Sequence, residues 1–338
     1  MSKWNKIAVI GAGSWGTALA ILLARKNLSV QLWGRDATSM ATMQAGRENA
    51  KYLPRHLFPD SLSATSDYNT ALAGVDCVVM VVPSHGFREV YRQLVPLLPE
   101  GIPVVSAVKG IETSTTRTMT QVMEEESRGK KQAFCVLSGP SFAEEVASGH
   151  PTAVTVACTD MEQAAAVQQL FSDTLFRVYS SSDVIGLEIS GAMKNVIAIA
   201  AGISDGLGYG LNTRAALITR GLAEITRLGI ALGADARTFA GLGGLGDLVL
   251  TCTGNLSRNR TVGLKLGSGK SLGQALAEMT MVAEGVKTTK SCFQLALQAG
   301  VEMPILEQTH AVLYQNKRCE DAVADLFQRD LKEELISP

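Results

Sequence analysis

Three glycines near the amino terminus constrain this chain more than any other feature. They read Gly11-x-Gly13-x-x-Gly16, and they sit where the apolar run 6–10 ends and a helical periodicity over 14–26 begins. A second apolar run follows at 30–33. In such a strand–turn–helix the first glycine permits the tight turn, the second lets backbone approach a bound pyrophosphate, and the third lets helix pack on sheet. The pyrophosphate then meets unpaired amides and the positive end of the helix dipole. The context therefore predicts a Rossmann-type dinucleotide-binding unit, with Gly11, Gly13, Ser14, Trp15 and Gly16 forming its phosphate loop.

Runs at 76–82, 104–108, 134–137, 153–157 and 176–179 read as further strands, with helical stretches near 86–98 and 117–128 between them. Asp76–Val82 as a sequence, DCVVMVV, is almost continuously apolar, as expected of a parallel strand covered on both faces. This alternation predicts a doubly wound, mostly parallel sheet. After Ser182 only helical periodicities remain, at about 183–201, 212–232, 272–278, 286–299, 305–315 and 320–328. Glycine-rich stretches at 202–210 and 241–246 read as breaks between them. The expected division is a dinucleotide-binding domain over 1–185 and an all-α domain over 186–330.

The charge balance, 31 Lys and Arg against 32 Asp and Glu, offers no basic face for nucleic acid. Six scattered cysteines and four histidines lack metal-ligand spacing, so no metal is expected. Cys77 and Cys135 fall inside strand-like runs, where a thiol packs as a small hydrophobe, and reduced thiols suggest the cytoplasm. Lys3, Lys6 and Ala18-Leu19-Ala20 could be taken for a secretory leader, but the spaced glycines and the uninterrupted helix formers argue against it. The longest apolar run, 196–203, is shorter than a bilayer span, so no membrane span is expected.

Cofactor choice is read at the end of the second strand, Trp33-Gly34-Arg35-Asp36. An NAD-preferring site usually places an acid there for the ribose 2′-OH. Arg35 instead suits a 2′-phosphate, so NADP(H) is expected with NAD(H) possible, and Asp36 reads as a helix N-cap. Lys109 stands at a strand end in SAVKG, either as a ligand contact or as a surface lysine beside a turn, and Ser138-Gly139-Pro140-Ser141 repeats the arrangement. Lys194 is sharper. Residues 191–201 are apolar or small on every face except at Lys194 and Asn195, and a helix of that kind is buried. A buried ammonium must find a partner or serve chemistry, since desolvation moves it toward the range of a general base; the alternative is a lysine that snorkels to the surface. Asp247, after a glycine-rich turn, could cap a helix or accept a ligand hydroxyl. Ser257-Arg258-Asn259-Arg260 suits a phosphate at a helix start, or an ordinary capped first turn. Glu284 could cap its own helix or reach a cofactor hydroxyl.

The segments GAGSWGTALA, VVPSH, SAVKGIE, LSGPSFAEEV, SGAMKNVIAIAAGISDGLGYGLNTRAALITRGL, GLGGLGDLVLTC and NLSRNR together resemble bacterial NAD(P)-dependent glycerol-3-phosphate dehydrogenase, in order and over nearly the whole chain. The resemblance implies dinucleotide contacts from Ser14, Trp15, Arg35, Lys109, Ala143, Arg258, Val282 and Glu284. It implies contacts to glycerol 3-phosphate from Lys109, Gly139, Ser141, Lys194, Asp247, Ser257, Arg258 and Asn259. Lys194 would accept the hydroxyl proton as hydride leaves, and return it to dihydroxyacetone phosphate in reduction; Lys109 would lie near the developing alkoxide. A homodimer supplying the glycerophospholipid backbone is the expected setting. Two other readings share parts of this pattern. β-Hydroxyacid and 6-phosphogluconate dehydrogenases space the lysine and asparagine along the helix, whereas Lys194 and Asn195 are adjacent here. A non-catalytic NADP-sensing regulator would need neither a buried lysine nor a phosphate cluster.

Overall fold

A computed structural model describes residues 4–279, 283–331 and 333–334. They fall into two units: the chain up to Lys109 with Arg117–Glu188, and Gly110–Thr116 with the chain from Ile189. The division therefore runs at 188/189 rather than at 185. The segment Gly110–Thr116 belongs to the second unit, which no single cut along the chain can express.

The first unit is an eight-stranded sheet of β1 (Lys6–Ile10), β2 (Ser29–Trp33), β3 (Leu62–Thr65), β4 (Cys77–Met80), β5 (Pro103–Ser106), β6 (Ala133–Ser138), β7 (Thr152–Cys158) and β8 (Phe176–Ser181), in the order β3-β2-β1-β4-β5-β6-β7-β8. Pairing is parallel except between β6 and β7, which run antiparallel; β8 follows β7 in parallel. The alternation of side chains along a strand builds a core on each face. In β1, Ile7 and Val9 join one core with Leu19 and Leu23, while Ala8 and Ile10 join another with Phe87 and Tyr91. This is why β1 and β4 read as continuous apolar runs. Cys77 and Cys135 are fully buried in the sheet, as packing thiols.

Some elements were not expected. The short, half-buried β3 alternates over only four residues, and a small antiparallel pairing of Glu48–Asn49 with Leu53–Leu57 carries no apolar alternation. The helix Ala37–Gly46 is opened by Asp36 as its N-cap, as the sequence suggested, and the unexpected helix Met161–Phe171 is opened by Asp160. Chain order reverses between β1 and β4, and in open sheets of this kind a crevice forms at that point, outside the carboxyl ends of the strands. The loop from β1 into α1 (Ser14–Arg25) stands there.

Among the described residues from Ile189 onward no strand occurs. The segments singled out in this region by sequence lie on α2 (Val184–Gly206), which carries the chain past the division, and on α4 (Asp247–Thr253), α5 (Arg258–Gly267) and α6 (Glu284–Ala299). Between α2 and α4 runs α3 (Leu211–Ala231). The glycines at 202 and 206 do not break α2. A Cβ on Gly202 would strike the Arg260 carbonyl oxygen and lie 2.8 Å from the Leu264 nitrogen; one on Gly263 would strike the Ile199 carbonyl. Gly206 and Gly267 repeat the arrangement one turn on, so α2 and α5 meet backbone to backbone. Glycine is required for contact rather than for a turn. With its glycines kept inside the helix, α2 is long and apolar enough to cross a bilayer by length and composition, yet 83% of that window is buried within the protein, as in a core helix.

Candidate active site

In the first unit two of the three loop glycines are required by close contacts, and the third leaves open space. Gly11 has φ +127°, and a Cβ there would fall 2.7 Å from the Val81 carbonyl group. A Cβ on Gly16 would strike the Gly11 carbonyl, so α1 rests directly on the loop. Gly13 is exposed, and a Cβ on it would meet nothing within 4 Å. Gly13 is also the N-cap of α1 and supplies no capping side chain. The first turn thus offers backbone donors and the positive end of α1 to an open space, with Ser14 and Trp15 as its first two residues. That combination suits the pyrophosphate of a dinucleotide.

Beyond β2, Arg35 is exposed, while Asp36 accepts the Ser39 amide at 2.6 Å as the N-cap of Ala37–Gly46. The hydrogen bonds from Ser39 hold the Asp36 carboxyl below its usual range. The acid at this strand end is thus committed to its own helix. Trp33 lies stacked on Tyr68 with ring centroids 4.4 Å apart.

Lys109, Gly139 and Ser141 come together. Lys109 Nζ donates to the Gly139 carbonyl at 3.0 Å, and Ser141 Oγ donates to the same oxygen at 2.9 Å. Gly139 has φ +146°, and a Cβ there would sit 2.8 Å from Val154 Cα, so the turn closes on β7 only with glycine. Ala143 opens the short helix Ala143–Ala147.

In the second unit α2 carries Lys194 inward rather than to the surface: the residue is 6% exposed, which removes the snorkelling alternative. Its ammonium pairs with Asp247 Oδ1 and donates to Thr251 Oγ1 at 3.0 Å. Asp247, fully buried, is the first residue of α4 rather than its cap, and Thr251 one turn later donates to the Asp247 carbonyl at 2.6 Å. A buried charge pair is tolerable only with such additional hydrogen bonds. Cys252 lies beside this pair, and burial pushes its thiol up to about 12, so it stays neutral.

The next residue on α2, Asn195, accepts from Asn259 Nδ2 at 2.8 Å, and Asn259 Oδ1 accepts the Gly285 amide at 2.9 Å. A Cβ at Gly285 would lie 2.7 Å from Asn259 Oδ1, so only glycine lets α6 approach so closely. Asn259 is thereby committed to joining α2, α5 and α6. Ser257 is the N-cap of α5, accepting the Arg260 amide at 3.2 Å, and Arg260 Nε reaches Asp205 Oδ2 at 2.8 Å. Arg258, at the first position of α5, is exposed. Glu284 is the first residue of α6, but the N-cap is Ala283, and the Gly285 amide is taken by Asn259. Glu284 does not cap its helix. Val282 lies outside the described residues.

Sequence reasoning singled out Lys194 and Asp247 separately and missed their pairing. It also passed over Thr251 and Asn195 as site residues. The signal for Thr251 was available, since a hydroxyl four residues after a buried aspartate shares its helix face. Among the described residues no three His, Cys, Asp or Glu side chains group so as to hold a metal ion.

Residues 6–164 match the model for the NAD-dependent glycerol-3-phosphate dehydrogenase N-terminus, and residues 183–324 match that for its C-terminus. The chain is 57% identical over 334 residues to a glycerol-3-phosphate dehydrogenase [NAD(P)+] of Geobacter metallireducens, covering 98% of this chain and 99% of the relative. It is also 57% identical over 332 residues to the protein of that name from Desulfotalea psychrophila, covering 97% and 98%. The crystal structure of glycerol-3-phosphate dehydrogenase from Coxiella burnetii is similar with a TM-score of 0.93 at 42% identity, covering 96% of this chain and 99% of that one.

Proposed function

The chain belongs to the NAD-dependent glycerol-3-phosphate dehydrogenase family, and we propose that it interconverts sn-glycerol 3-phosphate and dihydroxyacetone phosphate with NADP(H) preferred over NAD(H). The observation that carries this reading is Lys194, a lysine buried in an apolar helix and held by a buried carboxylate and a hydroxyl. A bound nicotinamide dinucleotide supplies hydride in reduction and accepts it in oxidation. Lys194 handles the proton: its ammonium donates to the C2 oxygen of the carbonyl substrate, and its amine takes the proton back from the alcohol. Asp247 offsets the charge and fixes the direction of Nζ, and Thr251 restrains it from a second side. Lys109, with Gly139 and Ser141, serves as a further polar contact for substrate. For the phosphate, Arg258 and the first-turn amides of α5 are suited. The Ser257 oxygen accepts from the helix, which leaves its O–H as a donor.

The NADP preference is supported by Arg35 at the end of β2 and by the commitment of Asp36 to its helix. The remaining parts of the proposal are a homodimer, supported by Leu211 and Ile230 exposed on α3, and a cytoplasmic role in supplying glycerophospholipid backbones, supported by six unpaired thiols. Following nicotinamide absorbance with dihydroxyacetone phosphate as the added carbonyl tests the central claim. Oxidation of NADPH that depends on dihydroxyacetone phosphate is expected, with no reduction of NADP⁺ or NAD⁺ when hydroxyacids or 6-phosphogluconate are supplied instead. No such turnover with either cofactor would overturn it.

A further inference from the structure

A fully buried asparagine outside every segment singled out so far touches the phosphate loop. Asn49 lies in the short strand Glu48–Asn49, opposite Leu53. Its Nδ2 donates to the Ala12 carbonyl at 3.0 Å and to Thr17 Oγ1 at 2.8 Å, and its Oδ1 accepts the Tyr52 amide at 3.2 Å. The orientation of the amide is unambiguous, because a backbone carbonyl can only accept and a backbone N–H can only donate. The segment is itself anchored: the neighbouring Arg47 guanidinium donates to the carbonyls of Leu62 at 2.8 Å and Pro59 at 2.6 Å.

Ala12 is the residue between the first two loop glycines, and its peptide bond to Gly13 is trans. In a trans peptide the carbonyl and the following N–H point in opposite directions. Holding the Ala12 carbonyl toward buried Asn49 therefore turns the Gly13 N–H away from the interior, on the exposed residue whose Cβ position is empty. The same side chain grips Thr17, whose amide donates to the Gly13 carbonyl at 2.9 Å. Both peptide groups of Gly13 are thus fixed through one side chain.

From this geometry we infer that Asn49 is a positioning residue for cofactor binding, which sets the Gly13 peptide so that its N–H is presented to the pyrophosphate. The inference rests on the dinucleotide reading of the loop. An aspartate at this position has the same size but would set carboxylate oxygen against the Ala12 carbonyl, so the peptide would lose its restraint.

The test compares wild type with Asn49→Asp and Asn49→Ser by fluorescence titration with NADPH, and with adenosine 2′-phosphate as a competing probe that has no pyrophosphate. Circular dichroism identifies the folded variants, and Asn49→Ser carries the comparison if Asn49→Asp does not fold. Loss of a donor to a charged group predicts NADPH binding weaker by about tenfold or more. The loss should fall on KM for NADPH rather than on kcat, with adenosine 2′-phosphate affinity little changed. Equal weakening of both probes would mean general loosening and overturn the assignment, as would unchanged NADPH binding in both variants. Thr17→Val spares the Ala12 bond and should bind NADPH nearly as wild type; a loss as large as that of Asn49→Asp would shift the role to Thr17 and refute the one given to Ala12. If the wild-type chain bound neither NADPH nor NADH, the dinucleotide reading would fail and the inference with it.

Discussion

Replacing Lys194 by methionine keeps the length of the side chain and removes its charge, leaving Asp247 fully buried without its partner. Breaking a buried pair from one side typically costs about 3–5 kcal/mol. An independent bound comes from protonation. A carboxyl with an aqueous value of about 3.9 takes up a proton at pH 7 for about 4 kcal/mol, which relieves the buried charge. The two figures agree, so the single variant should lose about 3–4 kcal/mol at pH 7. At roughly 2–4 °C per kcal/mol for a chain of this order, its thermal midpoint should fall by about 10 °C. The defect should shrink toward pH 4, where protonation costs almost nothing. The double variant Lys194→Met with Asp247→Leu buries no charge and should recover most of the midpoint. If Lys194 handles the proton, turnover should be lost in both, by about 10²–10⁴-fold. The assay is thermal denaturation at two pH values beside steady-state kinetics with dihydroxyacetone phosphate. A single variant melting with wild type at pH 7 would refute the pairing argument, and a double variant within tenfold of wild-type kcat would refute the proton role.

Gly202→Ala gains about 1 kcal/mol of helix propensity but drives a methyl into the Arg260 backbone, where no side chain can yield; with overpacking at the upper end of about 1–3 kcal/mol the net should be a loss of roughly 2 kcal/mol. Gly273→Ala, in the helix Leu272–Ala277 with open space around the new methyl, should instead stabilise by up to about 1 kcal/mol, and equal effects in a melting experiment would sink the contact argument. Burial pushes the Glu224 carboxyl up to about 7 although it accepts the Ile305 amide at 2.7 Å. A raised carboxyl contributes stability in full below its unfolded value and loses it as pH rises toward the folded one, by about 3 kcal/mol in total. Glu224→Gln should therefore flatten the fall in stability between about pH 4.5 and 7, and parallel profiles would count against it. Arg35→Ala should raise KM for NADPH by about 10–100-fold while leaving NADH within a few fold, and equal losses with both would refute the 2′-phosphate assignment.

The dinucleotide loop was legible because its glycines stand at fixed spacing between an apolar run and a helical one. Lys194 was legible because it fits no face of its own helix. Its partner was not, since Asp247 lies 53 residues away and only tertiary packing brings the two together. The polar helix Arg258–Gly267 carries glycines at 263 and 267 that look like loop, and the same is true of the break expected at 202; nothing local says that these glycines face one another. β3, with LSAT as its sequence, alternates over only four residues, too short a run with small side chains to stand out, and its place is set by pairing with β2. Asn49 sits in a stretch with no periodicity at all, and its importance is visible only once the Ala12 carbonyl is placed beside it.

The seam between α2 and α5 is made of carbonyls and amides, atoms that every residue possesses in the same form. Its gap is accordingly a fixed gauge, insensitive to the sizes of the side chains that flank it. Lys194 and Asn195 ride on one jaw of that gauge, Arg258 and Asn259 on the other. Drift among the apolar neighbours Ile199, Ile203, Val262 and Leu266 can then alter how firmly the second unit holds together while the spacing between the segments that carry Lys194 and Arg258 stays the same. The distance between the two helices is thereby set by backbone at the seam, and not by the apolar side chains beside it.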